Sequence, residues 1–465
     1  MGFVRRLAAL GLSAVVAAGG ALAAPTAEAE VASSGASDRR TPAAQLRSDA
    51  TGPGTVAKGA RRVVFVGDNW EGTATLLDPR TFRRVASIDV VPDYQARMRE
   101  IALNPYRLAY FLAIRELIGE GNDQFVDDMY SSNDGRLVVI SRPSFADVVA
   151  ISLQTKKIVW RFPVAGVRSD HMAVSPDGRR VVVSASTGNV VHVLRIRDGK
   201  EVGRFASGGS PHESIFIDGG KRILHASIGT VYSPLDEPGI PDPLEGDRVL
   251  QVVNARTLKI ERRYDLRKAL DERGLRDTSI SVRPMTLSPD QQTFYFQLSF
   301  LHGFVGLDRR TGKITRVERL PNLVPDLPRP AYLLDSAHHG IAMDPRGKRL
   351  CVAGTMSDYA TMVVAGRRWG HTKLLKGGLK PYWVTPSWDG KYCYVSWSGS
   401  DTVSRISYKT ARIVSTTRVG DHPQRVRNGF VQRAFVRGLG FNESSVPLRL
   451  SPQTLWETPS QLFPR

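Results

Sequence analysis

Short apolar runs recur along the chain: VVFVG at 63–67, LVVIS at 137–141, VVVSA at 181–185, ILHAS at 223–227, FYFQL at 294–298, LCVAG at 350–354 and YCYVS at 392–396. They are rich in β-branched and aromatic residues and too short for helices, so they predict strands. Around the third run, HMAVSPDGRRVVVSASTGNVVHVLRIRDGKEVGRFASGGSP reads as strand, D-G turn, strand, short loop, strand, second turn, strand. The first turns of successive units carry SNDGR, SPDGR, DGGKR, SPDQQ, DPRGK and SWDGK, the Gly, Asn and Asp chemistry that reverses a strand. The later turns (DPRTFRR, LQTKK, RDGK, ARTLK, RRTGK, KTAR) are charged and tolerate exposure. No helical period intrudes within these units. Seven four-stranded units at a spacing of about forty residues predict an all-β fold, a seven-bladed β-propeller whose radial closure leaves few exposed sheet edges.

The first unit lacks its own inner strand, while GDHPQRVRNGF at 420–430 reads as a spare one. The C-terminal segment is therefore expected to complete the first blade and lock the ring. The stretch PSWDGKYCYVSWSGSDTVSRISYKTARIVSTTRVGDHPQ resembles the YVTN-type seven-bladed propeller repeat, over about residues 61–430 and including a YVS at 394–396. It does not resemble a WD40 repeat, because Trp388-Asp389 falls in a first turn. The resemblance implies a surface or periplasmic binding protein. It also implies that some histidines are structural, because such repeats open with Pro-His-Gly-like phrases, as at Pro211-His212 and His339-Gly340.

Long insertions fall in top-face slots, at 92–125, 227–247, 267–282 and 322–337, and function concentrates in long loops on rigid scaffolds. The first insertion predicts a short helix starting at Asn104-Pro105, with a stripe of Leu108, Phe111, Leu112 and Ile118 and a stop at Gly119. The stripe leaves two roles open, packing onto the sheet edges or closing as a lid over the channel mouth.

Counting eight residues back from each first turn places Asp127, Asp170, His212, Arg283, His339, Tyr382 and Asp421 at the start of successive inner strands. The residues that follow are Asp128, His171, Glu213, Pro284, Gly340, Trp383 and His422. Inner strands line the channel, and alternation predicts that about one of each pair points inward. Imidazole and carboxylate groups gathered there suit a transition metal or acid-base chemistry. His171, His212, His339 and His422 are the candidate ligands, although no H-x-x-x-H or C-x-x-C spacing reinforces them. No nucleophile elbow, Walker loop, dinucleotide fingerprint or haem-attachment motif is present.

Residues 1–29 carry Arg5 and Arg6, a small-residue apolar stretch and A-x-A sites ending at Ala23 and Ala29, the pattern of a cleaved export signal. Residues 30–60, rich in Ser, Ala, Gly and Pro, read as a disordered linker, and 431–465 as a tail without clear period. The expected mature chain is secreted or cell-surface, a monomer, with no membrane span. In that setting Cys351 and Cys393 are candidates for a disulfide. Their one-residue offset in aligned strands points them to opposite faces of successive blades, and two buried small hydrophobes are the alternative.

The net charge of +19 favours anionic partners. Arginines are dispersed over many turns without a dense cluster, so sequence-specific nucleic-acid binding is not expected, only salt-sensitive polyanion affinity. Two functions remain. One is a binding protein whose top funnel captures a small polar or anionic ligand, a peptide or a cell-wall polymer. The other is a metal-dependent oxidoreductase or hydrolase in the same funnel, with Asp170 or Glu213 as base and Arg283 steadying negative charge. The cofactor, if any, would be a transition metal.

Overall fold

The computed structural model describes residues 57–117, 119–229, 246–332 and 336–446. The expected export signal, most of the linker, the centre of the 227–247 insertion and the end of the tail lie outside the described residues. The described strands form seven four-stranded antiparallel sheets, each a blade of a propeller. The inner strands are Pro423–Gln432 in blade 1, Asp128–Ser131 in blade 2, Ser169–Val174 in blade 3 and Pro211–Ile217 in blade 4. Val282–Leu287, Ile341–Met343 and Pro381–Pro386 follow in blades 5, 6 and 7. As expected, the C-terminal strand Pro423–Gln432 pairs antiparallel with Ala60–Asp68, with Val63 opposite Gly429 and Val64 opposite Asn428, so the last strand closes the first blade.

Seven apolar clusters fill the seven blade-to-blade interfaces. This explains why the second strands are nearly continuous apolar runs. Val181 and Val183 of blade 3 pack against blade 2, while Val182 packs against blade 4. A strand buried on both faces needs apolar residues at every position. The same alternation sends Cys351 of blade 6 and Cys393 of blade 7 into one shared interface, where they form a disulfide with Cα atoms 6.5 Å apart. The first turns close on a repeated serine device. Ser132, Ser175, Ser288 and Ser387 each accept from the backbone N–H five residues on and donate to the Asp two residues on.

The first insertion holds two helices, α1 (Tyr94–Ala102) and α2 (Pro105–Leu117), where the sequence pattern predicted one. Asn104 caps α2 by accepting from the Arg107 N–H. Phe111 and Ile101 pack into the blade 1–blade 2 cluster, with Leu108 against it. Leu112, placed in the predicted stripe, is instead 43% exposed, and Tyr110 and Ile114 are buried. The fully buried Arg142 ties the insertion down, donating to both oxygens of Asp93 and to both of Asp147. A third helix, α3 (Leu266–Asp271), is capped by Asp265 accepting from the Lys268 N–H and occupies the third insertion. Helix α4 (Arg433–Leu439) follows the closing strand, and Phe435, Val436 and Leu439 join the blade 1–blade 2 cluster. Asn442 then donates to the Ser87 carbonyl, so the start of the tail lies along the outer strand of blade 1.

Candidate metal and ligand site at the channel mouth

The site is built from β-bulges. In blade 3 the pair Ser169–Ala185 is followed by Met172–Val183, in blade 4 Pro211–Ser227 by Ser214–His225, and in blade 5 Val282–Leu298 by Met285–Phe296. Blade 7 repeats the skip between Pro381–Trp397 and Val384–Val395. In each case two inner-strand residues oppose one on the neighbour, and the extra residue is re-aimed. The bulged pairs are Asp170-His171, His212-Glu213, Arg283-Pro284 and Tyr382-Trp383. Strict alternation would turn one of each pair away; here all eight residues are buried.

The closing strand carries the same skip, with Pro423 opposite Asp68 and then Val426 opposite Val66. The blade 1 equivalents are therefore Gln424 and Arg425, three residues beyond Asp421 and His422. Counting eight residues back fails here because this strand is ten residues long and continues into α4 instead of an Asp-Gly turn. The recurring proline was the better signal, since Pro211-His-Glu, Pro381-Tyr-Trp and Pro423-Gln-Arg share a register. The structure accordingly places Asp421 and His422 elsewhere. The His422 ring stacks on Trp70 at 3.7 Å and makes no ring contact with the other candidate histidines. The Asp421 N–H donates to Glu71, and burial, with Asp401 and Glu71 nearby, pushes its carboxyl up to about 6.

Three of the four candidate ligands converge. His171, His212 and His339 come from blades 3, 4 and 6, and each presents a ring nitrogen within 4.8 Å of the others. Ring centroids are 3.9 Å apart for His171–His212, 5.9 Å for His212–His339 and 6.2 Å for His171–His339. The Nδ1 atoms of all three are buried and lack a hydrogen-bond partner. Burial first, then the adjacent guanidinium groups, holds all three imidazoles well below their ordinary pKa, so they are neutral, each with one lone-pair nitrogen, which on His171 is the Nε2 that accepts from Arg425. A tetrahedral centre with bonds of ~2.0–2.1 Å needs ligand nitrogens ~3.3 Å apart, so small ring rotations complete the set. Asp127, Asp170 and His171 form a second converging group. Burial, reinforced by Asp170 and Asp128 against the pull of Arg425, pushes the Asp127 carboxyl up to about 7. Its Oδ2 has no partner.

Arg425, absent from the sequence-level candidates, donates from Nη2 to His171 Nε2, lies 3.4 Å from Asp127 Oδ1 and sits 4.1 Å above the Trp383 ring. Arg283 reaches Ser299 Oγ at 2.8 Å. Tyr382 stacks on His339 at 4.1 Å, fixing that imidazole. Further along the channel Arg427 grips Asp128 with two bonds of 2.8 Å. Glu213 accepts from the Met285 N–H and lines a cavity of about 40 Å³ with Tyr130, Trp383 and Arg427. Burial pushes the Glu213 carboxyl up to about 8.

The remaining top-face histidines are held by neighbours. His225 shares hydrogen bonds with Ser207 and Ser214, His302 with the Tyr332 hydroxyl, and His338 lies 3.4 Å from the Tyr359 hydroxyl. Of the pair His338-His339, only the second belongs to the site.

No protein-family model matches the sequence, and no curated protein matches it. Among solved structures, the hydrazine synthase of Kuenenia stuttgartiensis is similar, with a TM-score of 0.51 and 15% sequence identity over 77% of this chain and 92% of that one. At that identity the likeness shows the propeller fold alone.

Proposed function

We propose that this protein is an exported propeller of the YVTN-like kind that holds a divalent transition metal at its channel mouth and uses that centre to bind a small ligand. The observation that carries the reading is the convergence of His171, His212 and His339, from three different blades, with every Nδ1 buried and unpartnered. Buried polar atoms in native proteins are nearly always satisfied, and an ion satisfies all three rings at once when His171 moves its proton to Nε2 and Arg425 turns away from that nitrogen. Three protein ligands leave a coordination position open for a ligand from solution.

Binding is favoured over turnover because both candidate bases already hold the inner strands in place. Asp170 accepts from Ser186 Oγ and the His171 N–H, and Glu213 from the Met285 N–H. The A-x-A sites at Ala23 and Ala29 support export, and the +19 charge supports an anionic surrounding such as a wall polymer.

The test is the metal content of the purified protein, by elemental analysis, compared with His212→Ala and His339→Ala. About one metal per chain in the wild type, lost in both folded variants, is the expected result. A wild type that neither carries nor takes up zinc, copper or nickel would remove the proposal.

A further inference from the structure

Two buried guanidinium groups at the channel mouth have donors with nothing to donate to. Arg425 is fully buried, and its Nε and Nη1 lack partners. Arg283 is 1% exposed, and its Nη2 lacks a partner. Its only hydrogen bond among the described residues runs from Nε to Ser299 Oγ, and no carboxylate lies within ion-pair distance of it there. Arg427, two residues beyond Arg425, shows what a satisfied guanidinium in this channel looks like, with both oxygens of Asp128 bound at 2.8 Å. At the mouth, by contrast, Asp127 meets Arg425 only through Oδ1 at 3.4 Å, and the remaining donors stay unused.

We propose that the channel mouth binds a small oxoanion or carboxylate, its oxygens accepting from the free N–H groups of Arg425 and Arg283 beside the three imidazoles. A planar guanidinium fork matches a two-oxygen anion; Arg283 is a buried positive group with no counter-charge among the described residues, and Arg425 has Asp127 at 3.4 Å on Nη2 while its Nε and Nη1 stay unused. Both guanidiniums are delivered by inner-strand bulges of the kind that deliver His171 and His212, Arg283 from blade 5 and Arg425 from blade 1, and Arg425 touches the His171 ring directly. The ligand is small because both donors are buried, Arg425 wholly and Arg283 to 1% exposure, with Arg425 packed 4.1 Å above the Trp383 ring. The inference deepens the reading above by naming its ligand class and rests on the same site, but the guanidinium donors are present whether or not a metal is.

The experiment is calorimetric titration of the chelator-stripped protein with sodium sulfate and, separately, sodium acetate, near pH 7 in low chloride. Saturable one-to-one binding of at least one anion is expected. It should weaken at least tenfold in Arg283→Met and Arg425→Met, while Arg283→Met keeps its metal uptake. Preference for sulfate identifies an oxoanion site, and preference for acetate a carboxylate site. Absence of both saturable heat and thermal stabilisation by either anion in the wild type would overturn the proposal. So would undiminished affinity in both arginine variants, shown folded by their melting curves. Anion binding by a protein that takes up no metal would sink only the metal reading, and metal uptake without anion binding only this one.

Discussion

The pair Arg427–Asp128 is the place to test whether the closing strand and the site are one construction. Arg427 lies on the last strand of the ring and Asp128 on blade 2, 299 residues earlier, joined by two bonds of 2.8 Å. Asp128 Oδ2 also accepts from the Met172 N–H of blade 3, so one carboxylate links the inner strands of three blades. The Asp128 side chain is wholly buried and that of Arg427 is 9% exposed. Removing one partner of such a pair leaves a buried charge uncompensated, at a cost of about 3–5 kcal/mol. Arg427→Met and Asp128→Ala should each lower the unfolding free energy by about that much in urea titrations followed by tryptophan fluorescence. Asp128→Ala should be the worse, because it also orphans the Met172 N–H, a further ~1–3 kcal/mol. The double variant Arg427→Met/Asp128→Ala should be less destabilised than the sum of the singles, because no unpaired charge remains. Single variants that each lose less than ~1 kcal/mol, or singles that add without coupling, would refute the claim that this pair latches the ring.

Two further outcomes follow from the same structure. The Cys351–Cys393 bridge closes a loop of 42 residues, for which chain-entropy arguments give about 4 kcal/mol at 25 °C. Reductant should therefore lower the urea midpoint of the wild type and leave Cys351→Ala/Cys393→Ala unmoved; a wild-type midpoint unchanged after confirmed reduction would contradict the stabilisation assigned to the bridge. Asp68 is buried under the Thr73 and Thr75 hydroxyls, and burial pushes its carboxyl up to about 8. Its folded pKa lies above its unfolded value, so its contribution to stability is complete below pH ~4 and is lost as pH rises through about 8. Unfolding free energy should fall between pH 5 and 8 and fall less in Asp68→Asn; parallel profiles for the two proteins would contradict this.

The blades were legible because each obeys one local rule at every position. A second strand that packs on both faces is apolar at most positions, as Val181, Val182 and Val183 are, and Ser-x-Asp turns follow the inner strands of blades 2, 3, 5 and 7. The disulfide was legible for the same reason, since a one-residue offset in a period-two element decides which interface a side chain enters. Helix α1 was not legible. YQARMREIA buries only Tyr94 and Ile101, and its Asp93 N-cap makes no side-chain cap bond. The candidate site was half legible. His171, His212 and His339 stood in the right turns of the pattern, but strict alternation hides a bulge, which is a matter of register between strands and leaves little local trace. Arg425 and Arg427 were missed because the closing strand has no following turn from which to count.

The places where the sequence obeys these rules and the place where it breaks them have a physical relation. Along the outer three strands of each blade, propensity, turn chemistry and packing agree. At the channel mouth, unpartnered imidazole nitrogens, two under-satisfied guanidiniums and an Asp127 oxygen without a donor crowd into one buried space. Each such atom costs about 1–3 kcal/mol on its own, so the cluster persists only because the blades around it hold it in place. Bulges in blades 1, 3, 4 and 5 put Arg425, His171, His212 and Arg283 there, the blade 7 bulge adds Tyr382 and Trp383, and His339 and Asp127 stand just ahead of the regular inner strands of blades 6 and 2. A bulge carrying apolar side chains would close each blade as well and leave nothing unsatisfied. That six inner strands deliver imidazoles, guanidiniums and carboxylates to one opening is what the proposed cation for the imidazoles and anion for the guanidiniums account for.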